Sequence, residues 1–308
     1  MFDPHAERAE IGDSVMKAVA GIIASGSFIL GPAVREAETR LSAYVTCPEK
    51  HDVHCVGVSS GTEALHLALR ALGVGPGDEI VTTSFTWISS AEVIPLVGAK
   101  AVFADIDASS YCINASTVGP LLTPLTRAVV AVSLFGYMPD YSALRLVIDE
   151  AERKFGTSIA LVEDGAQSFG AMRNGFFSCN SPHTTLATTS FFPSKTLGCY
   201  GDGGAVFTRD ASLASIVASL RSHGKDGVSG LHTRIGLNGR LDAIQAAVVL
   251  AKLDHLDAMI DNRIRIANAY TESVSDGQPV LWSRRIEIPR KPGTFMVFTR
   301  YECGNGMR

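Results

Sequence analysis

The chain has 308 residues, 46% of them hydrophobic and 19% charged, the balance of a soluble globular protein long enough for a large core and two structural units. A formal net charge of -4, with few aromatics and none interleaved with lysine and arginine, excludes nucleic acid and an anionic membrane surface as partners. The six cysteines (Cys47, Cys55, Cys112, Cys179, Cys199 and Cys303) form no C-x-x-C pair and suit the reduced thiols of a cytoplasmic protein.

At the start of the chain, Asp3-Pro4 stands where a secretory signal would have a basic region and an apolar run. A first helix is expected over about 6–24, closed at Ser25-Gly26 by a glycine suited to the left-handed cap. His51, His54 and Cys55 are metal-ligating types, but with no second cluster they read as surface, and no metal is expected. From Val56 onward, short β-branched runs alternate with helical patterns. Residues 56–58, 80–82, 101–103, 128–132, 159–162 and 204–207 read as strands, and 63–72, 141–155 and 213–222 as helices. The strands are apolar on both faces, as in a mostly parallel, buried sheet, so the expected fold is α/β with helices on both faces. After about Arg234 the pattern changes. One long helix is expected from Leu241 to Met259, followed by two short strand candidates at 280–282 and 295–298. This divides the chain into a large unit, 1–234, and a smaller one, 235–308, whose few elements leave its core incomplete. The longest apolar runs, such as 246–251, are far too short to span a bilayer.

Ligands of doubly wound sheets sit beyond the carboxyl ends of the strands, so the residues following each strand carry the search for a site. Ser59-Ser60-Gly61-Thr62-Glu63 precedes a helix, where glycine lets a phosphate approach and free amides bind its charge; an ordinary helix cap has the same signature. Trp87, after the strand at Ile80, is placed to stack on a planar ring or to serve as a core aromatic. Glu163-Asp164 ends a buried strand, and a buried carboxylate needs a partner. A protonated pyridine nitrogen, a magnesium ion or a helix cap would each satisfy Asp164. Lys195 lies in an apolar, glycine-rich setting, where desolvation lowers a lysine pKa and permits a Schiff base. No phosphate-cradling glycines precede Ser194-Lys195-Thr196, so it is not a P-loop.

Taken together and in this order, the motifs resemble the fold-type-I pyridoxal-phosphate (PLP) enzymes, and specifically the DegT/DnrJ/StrS family of nucleotide-sugar aminotransferases. The likeness is carried by Ser60-Gly61-Thr62-Glu63-Ala64-Leu65, Gly77-Asp78-Glu79-Ile80 and Val162-Glu163-Asp164-Gly165-Ala166-Gln167. It continues through Ser190-Phe191-Phe192-Pro193-Ser194-Lys195, Gly201-Asp202-Gly203-Gly204-Ala205 and Gly236-Leu237-Asn238-Gly239-Arg240-Leu241-Asp242. It extends to about Tyr270.

The resemblance implies that Lys195 bonds to the cofactor and later carries the proton between substrate carbon and cofactor. It implies that Asp164 keeps the pyridine nitrogen protonated, that Gln167 bonds the ring hydroxyl and that Trp87 stacks on the ring face. Gly61, Thr62 and Ser190 are implied to hold the phosphate. Asn238 is implied to reach the phosphate of a neighbouring subunit, hence a homodimer with shared sites, and Arg240 to meet an anionic group of the substrate. Glutamate is the expected amino donor.

The 188–204 stretch is most similar to the branch that aminates carbon 3 of a UDP-linked 2-acetamido-3-keto-glucuronic acid for surface polysaccharide, including lipopolysaccharide. A 4-keto-6-deoxy sugar is the rival acceptor. Related sugar dehydratases carry histidine in place of the lysine, which Lys195 argues against. Family members continue for several dozen residues beyond the point reached by Arg308, so a truncated small domain is expected, with a PLP-binding remnant or regulatory protein lacking turnover as the alternative.

Overall fold

A computed structural model describes residues 4–46 and 53–274, with the side chains of 9–46 and 53–270. The strand candidates at 280–282 and 295–298, together with Cys47, His51 and Cys303, lie outside the described residues.

The chain opens with α1 (Pro4–Ser25), closed by Gly26 at φ +67° as expected, and α2 (Pro32–Val45). The central sheet is built from β1 (His54–Val58), β2 (Glu79–Thr83), β3 (Lys100–Ala104), β4 (Thr126–Val132), β5 (Ala160–Asp164), β8 (Leu186–Ser190) and β9 (Gly204–Thr208). Between these lie α3 (Gly61–Ala71), α4 (Ser89–Leu96), the short α5 (Ala115–Val118), α6 (Tyr141–Phe155) and a two-residue hairpin, β6 (Met172–Arg173) with β7 (Phe176–Phe177). The strand order is β1-β9-β8-β5-β4-β2-β3. Every neighbouring pair from β8 to β3 is parallel, and only β9 runs against its two neighbours. The mostly parallel α/β sheet read from the sequence is therefore present.

Alternate side chains of each strand feed the two faces. Val129, Ala131, Leu161, Ala187 and Phe207 enter a core shared with α1, α2 and α6. Ala128, Val130, Val162, Leu186 and Val206 enter a second core shared with α3, α4 and α7 (Ala211–Leu220). A sheet buried on both sides has no solvated face, which is why its strands carry apolar runs instead of alternation. α6 has the bounds expected for it, set by Asp140, whose carboxylate accepts from the Ala143 amide at 3.0 Å, and by Gly156 at φ +68°.

The single helix expected from Leu241 to Met259 is instead two, α8 (Ala243–Leu253) and α9 (Leu256–Val274). Leu253 and Leu256, on either side of the break at Asp254-His255, are both buried in the core, as their spacing in a continuous helix would also have it, so the periodicity does not reveal the break. Beside the break, Asp254 meets Arg40 and Asp257 meets the Tyr44 hydroxyl, both on α2, the latter at 2.7 Å. Helix α8 packs along α1 and α2, so this part of the expected second unit contributes to the core of the first. Helices α2 and α4 and strand β8 were not read from the sequence. No described helix is long and apolar enough to cross a membrane.

Candidate active site

The carboxyl ends of β1, β2, β4, β5 and β8 open onto one cavity of about 350 Å³. Asp164 is the last residue of β5, and strand alternation points it into this cavity while Glu163 points to the opposite core. Asp164 Oδ2 accepts from the Ser90 hydroxyl at 2.7 Å, and Oδ1 accepts from the Ala166 amide at 3.2 Å. Burial pushes the Asp164 pKa up, opposed by the Ser90 and Ala166 hydrogen bonds and by the nearby charge of Lys195.

Lys195 lies in the turn between β8 and β9, its amide donating to the Phe192 carbonyl at 2.8 Å. Desolvation lowers its pKa from the ordinary 10.5, and the Asp164 carboxylate partly restores it. Its ammonium makes no hydrogen bond or ion pair with any described residue, so the nitrogen is left for a ligand.

At the other end of the cavity α3 begins. Ser60 caps it, accepting from the Glu63 amide at 3.0 Å, while the Gly61 and Thr62 amides bond to no described residue. A helix start with free amides attracts anions. Gly61 packs so closely on β8 that a Cβ there would lie 2.6 Å from Ser190 Cβ. Only glycine lets the helix end and Ser190 form one wall. Thr62 Oγ1 is held by Ser89 Oγ at 2.7 Å. The remaining walls carry Trp87, 70% exposed, and Gln167, whose Oε1 accepts from the Phe135 amide at 2.9 Å. Phe135 has φ +54°, a left-handed conformation that a bulky residue adopts only where its surroundings hold it.

A family model described as the DegT/DnrJ/EryC1/StrS aminotransferase family matches residues 9–299. The chain belongs to this family. It is 40% identical over 285 residues to a UDP-2-acetamido-2-deoxy-3-oxo-D-glucuronate aminotransferase of Pseudomonas aeruginosa, covering 92% of this chain and 76% of that one. It is 39% identical over 284 residues to a dTDP-3-amino-3,4,6-trideoxy-alpha-D-glucose transaminase of Micromonospora megalomicea, covering 92% and 70%. The crystal structure of DesV from S. venezuelae superposes with a TM-score of 0.79 at 37% identity, covering 89% of this chain and 70% of that one. Other solved relatives hold the cofactor in its PLP and pyridoxamine-phosphate forms. This family member is a PLP-dependent sugar aminotransferase.

The cavity fits that cofactor. It offers an unbonded lysine nitrogen, a buried carboxylate, a polar amide side chain, an exposed indole and a glycine-walled helix start. Of the nine residues singled out in the sequence, the fold brings Gly61, Thr62, Trp87 and Asp164 to the cavity, with Gln167, Ser190 and Lys195. Asn238 and Arg240 do not line it. Asn238 is exposed and pairs with Ser222 in an isolated bridge, and Arg240 pairs likewise with Val58 at the end of β1. Arg240 Nε is buried with no hydrogen-bond partner among the described residues.

Among the lining residues given no role from the sequence are Ser90 and Asp202. Ser90 supplies the shortest hydrogen bond to Asp164 from 74 positions away in sequence, on α4, and nothing in its local sequence marks it. Asp202, from the Gly201-Asp202-Gly203-Gly204 run, also lines the cavity.

Proposed function

We propose that this aminotransferase moves an amino group from glutamate to a nucleotide-linked keto sugar bearing a carboxylate, of the UDP-2-acetamido-3-keto-glucuronate type. The observation that carries the reading is Lys195, with lowered pKa and its nitrogen unbonded among the described residues, beside the buried Asp164 in one cavity. The likeness to the Pseudomonas enzyme supports the sugar.

The bound cofactor supplies an electron sink at its ring. Lys195 is the nucleophile that holds it and the base that moves the proton at the reacting carbon. Asp164 stabilises a protonated ring nitrogen, and Gln167 bonds the ring hydroxyl. Trp87 covers the ring face, and the Gly61 and Thr62 amides with Ser190 hold the phosphate. Asn238, exposed and outside its own cavity, acts on the site of a second copy, so the working form is a homodimer. Arg240 meets the substrate's anionic group. The enzyme works in the cytoplasm, supplying amino sugars for surface polysaccharide such as lipopolysaccharide.

Borohydride treatment of the purified protein should fix the cofactor to Lys195, and a Lys195→Ala protein that still gave a reduced adduct would sink that role. Light scattering that found a cofactor-saturated monomer would contradict the Asn238 role. The acceptor is tested by comparing the 3-keto-glucuronate and a 4-keto-6-deoxy sugar nucleotide, with glutamate as donor, in the wild type and Arg240→Ala. Preference for the deoxy sugar overturns the substrate and leaves the aminotransferase intact.

A further inference from the structure

Behind the cavity, on the far face of β5, lies a buried polar network to which the proposed chemistry gives no part. Glu163 is fully buried, and its Oε1 accepts from Ser178 Oγ at 2.7 Å and from Ser133 Oγ at 3.0 Å. Its Oε2 accepts from the Cys179 amide at 3.0 Å. Each of these hydroxyls has an outer neighbour: Tyr141 Oη lies 2.7 Å from Ser133 Oγ, and Ser168 Oγ lies 2.7 Å from Ser178 Oγ. A hydroxyl has one proton, so the arrangement closes without conflict when Tyr141 donates to Ser133, Ser168 donates to Ser178, and both inner serines donate to the carboxylate. Burial pushes the Glu163 pKa up, and these donors oppose it.

Ser133 is where the network meets the cavity. Its amide donates to the Asp164 carbonyl at 2.9 Å while its hydroxyl donates to Glu163, so β5 grips this residue on both sides of the 163–164 peptide. Ser133 opens the turn 134–136, in which Phe135 is held left-handed and gives its amide to Gln167 Oε1. Released, a residue such as phenylalanine leaves that conformation readily, and the amide that orients Gln167 goes with it.

We propose that Glu163 is a positioning residue for the cofactor ring: by holding Ser133 it fixes the turn that aims Gln167, and so sets Gln167 and Asp164 at a constant separation. It touches neither cofactor nor substrate. This rests on the reading that Gln167 meets the ring. Ser133→Ala makes the test, with Thr82→Val as the structural control: Ser178 bonds on to Ser168, the neighbour of Gln167, whereas the buried Thr82 hydroxyl donates to the Val130 carbonyl at 3.1 Å and has no part in the network.

Holoenzymes of wild type, Ser133→Ala, Thr82→Val and Gln167→Ala are compared by the position of the visible cofactor band and by the rate of cofactor release on dilution, with melting temperature as the measure of structural loss. Gln167→Ala is expected to move the band and speed release about tenfold. Ser133→Ala should reproduce both changes, and Thr82→Val should lower the melting temperature alone. If Gln167→Ala shifts band and release while Ser133→Ala matches Thr82→Val, the positioning role is wrong. If Gln167→Ala itself changes neither, the reading of Gln167 falls, and the proposal with it.

Discussion

Ser90→Ala removes the donor that most directly steadies the Asp164 carboxylate, and the size of the effect follows from the geometry. The 2.7 Å bond runs from a fully buried hydroxyl to a buried acid. A hydrogen bond to a charged group contributes about 1.5–3 kcal/mol. Since one pKa unit corresponds to about 1.36 kcal/mol, the Asp164 pKa should rise by roughly one to two pH units. The sign follows from which form is bonded: the donor favours the ionised acid, so its loss favours the neutral one. The acid limb of the kcat–pH profile should therefore move upward by that amount. Activity at a pH below the wild-type limb should fall about tenfold to a hundredfold, with convergence at higher pH. The cofactor-free protein gives an independent readout. Burial already raises the folded pKa above the ordinary 3.8, so this group's contribution to stability is full below that value and is lost as pH rises through the folded pKa. In Ser90→Ala that loss extends to higher pH. Thr86→Ala is the control, since its hydroxyl lies 3.0 Å from Ser90 Oγ, one step removed from the acid. A Ser90→Ala enzyme whose acid limb superimposes on that of the wild type would refute the reasoning.

Asp164→Asn keeps the shape but not the charge, and kcat measured at saturating substrate should drop by about 10²–10³. Gly61→Ala drives a methyl to 2.6 Å from Ser190 Cβ. Such overpacking costs about 1–3 kcal/mol, and if that falls on the phosphate wall, spectroscopic titration should show cofactor binding weakened about fivefold to a hundredfold. The lowered pKa of Lys195 predicts that the rate of cofactor capture, followed by absorbance, rises with pH about a midpoint below 10.5, because only the neutral amine attacks. A midpoint at or above that value would contradict the desolvated setting.

Much of this protein was legible in one dimension because its signals are local. Strands of a mostly buried sheet carry apolar, β-branched runs, so β2, β3, β4, β5 and β9 announced themselves. α6 carries its own start signal in Asp140 and its own stop signal in Gly156. Chemistry at strand ends also reads locally: Gly61, Asp164, Gln167 and Lys195 each follow or close a strand and converge because parallel strands deliver their carboxyl ends to one edge.

What the sequence did not disclose depends on partners distant along the chain. Strand β8, Leu186-Ala187-Thr188-Thr189-Ser190, is fully buried yet rich in threonine. Its hydroxyls are satisfied across the sheet, Thr188 by the Glu163 carbonyl and Thr189 by the Gly165 carbonyl, which no local pattern reveals. The break between α8 and α9 was hidden because Leu253 and Leu256, three apart, keep the periodicity of one continuous helix, while the contacts flanking it, Asp254 with Arg40 and Asp257 with Tyr44, are made to the distant α2. The acidic pair at 163–164 was visible as a pair. Only the folded sheet separates the two acids, sending Asp164 to Ser90 and the cavity and Glu163 to Ser133 and Ser178, because adjacent residues of a strand face opposite sides and meet whatever the topology has packed there.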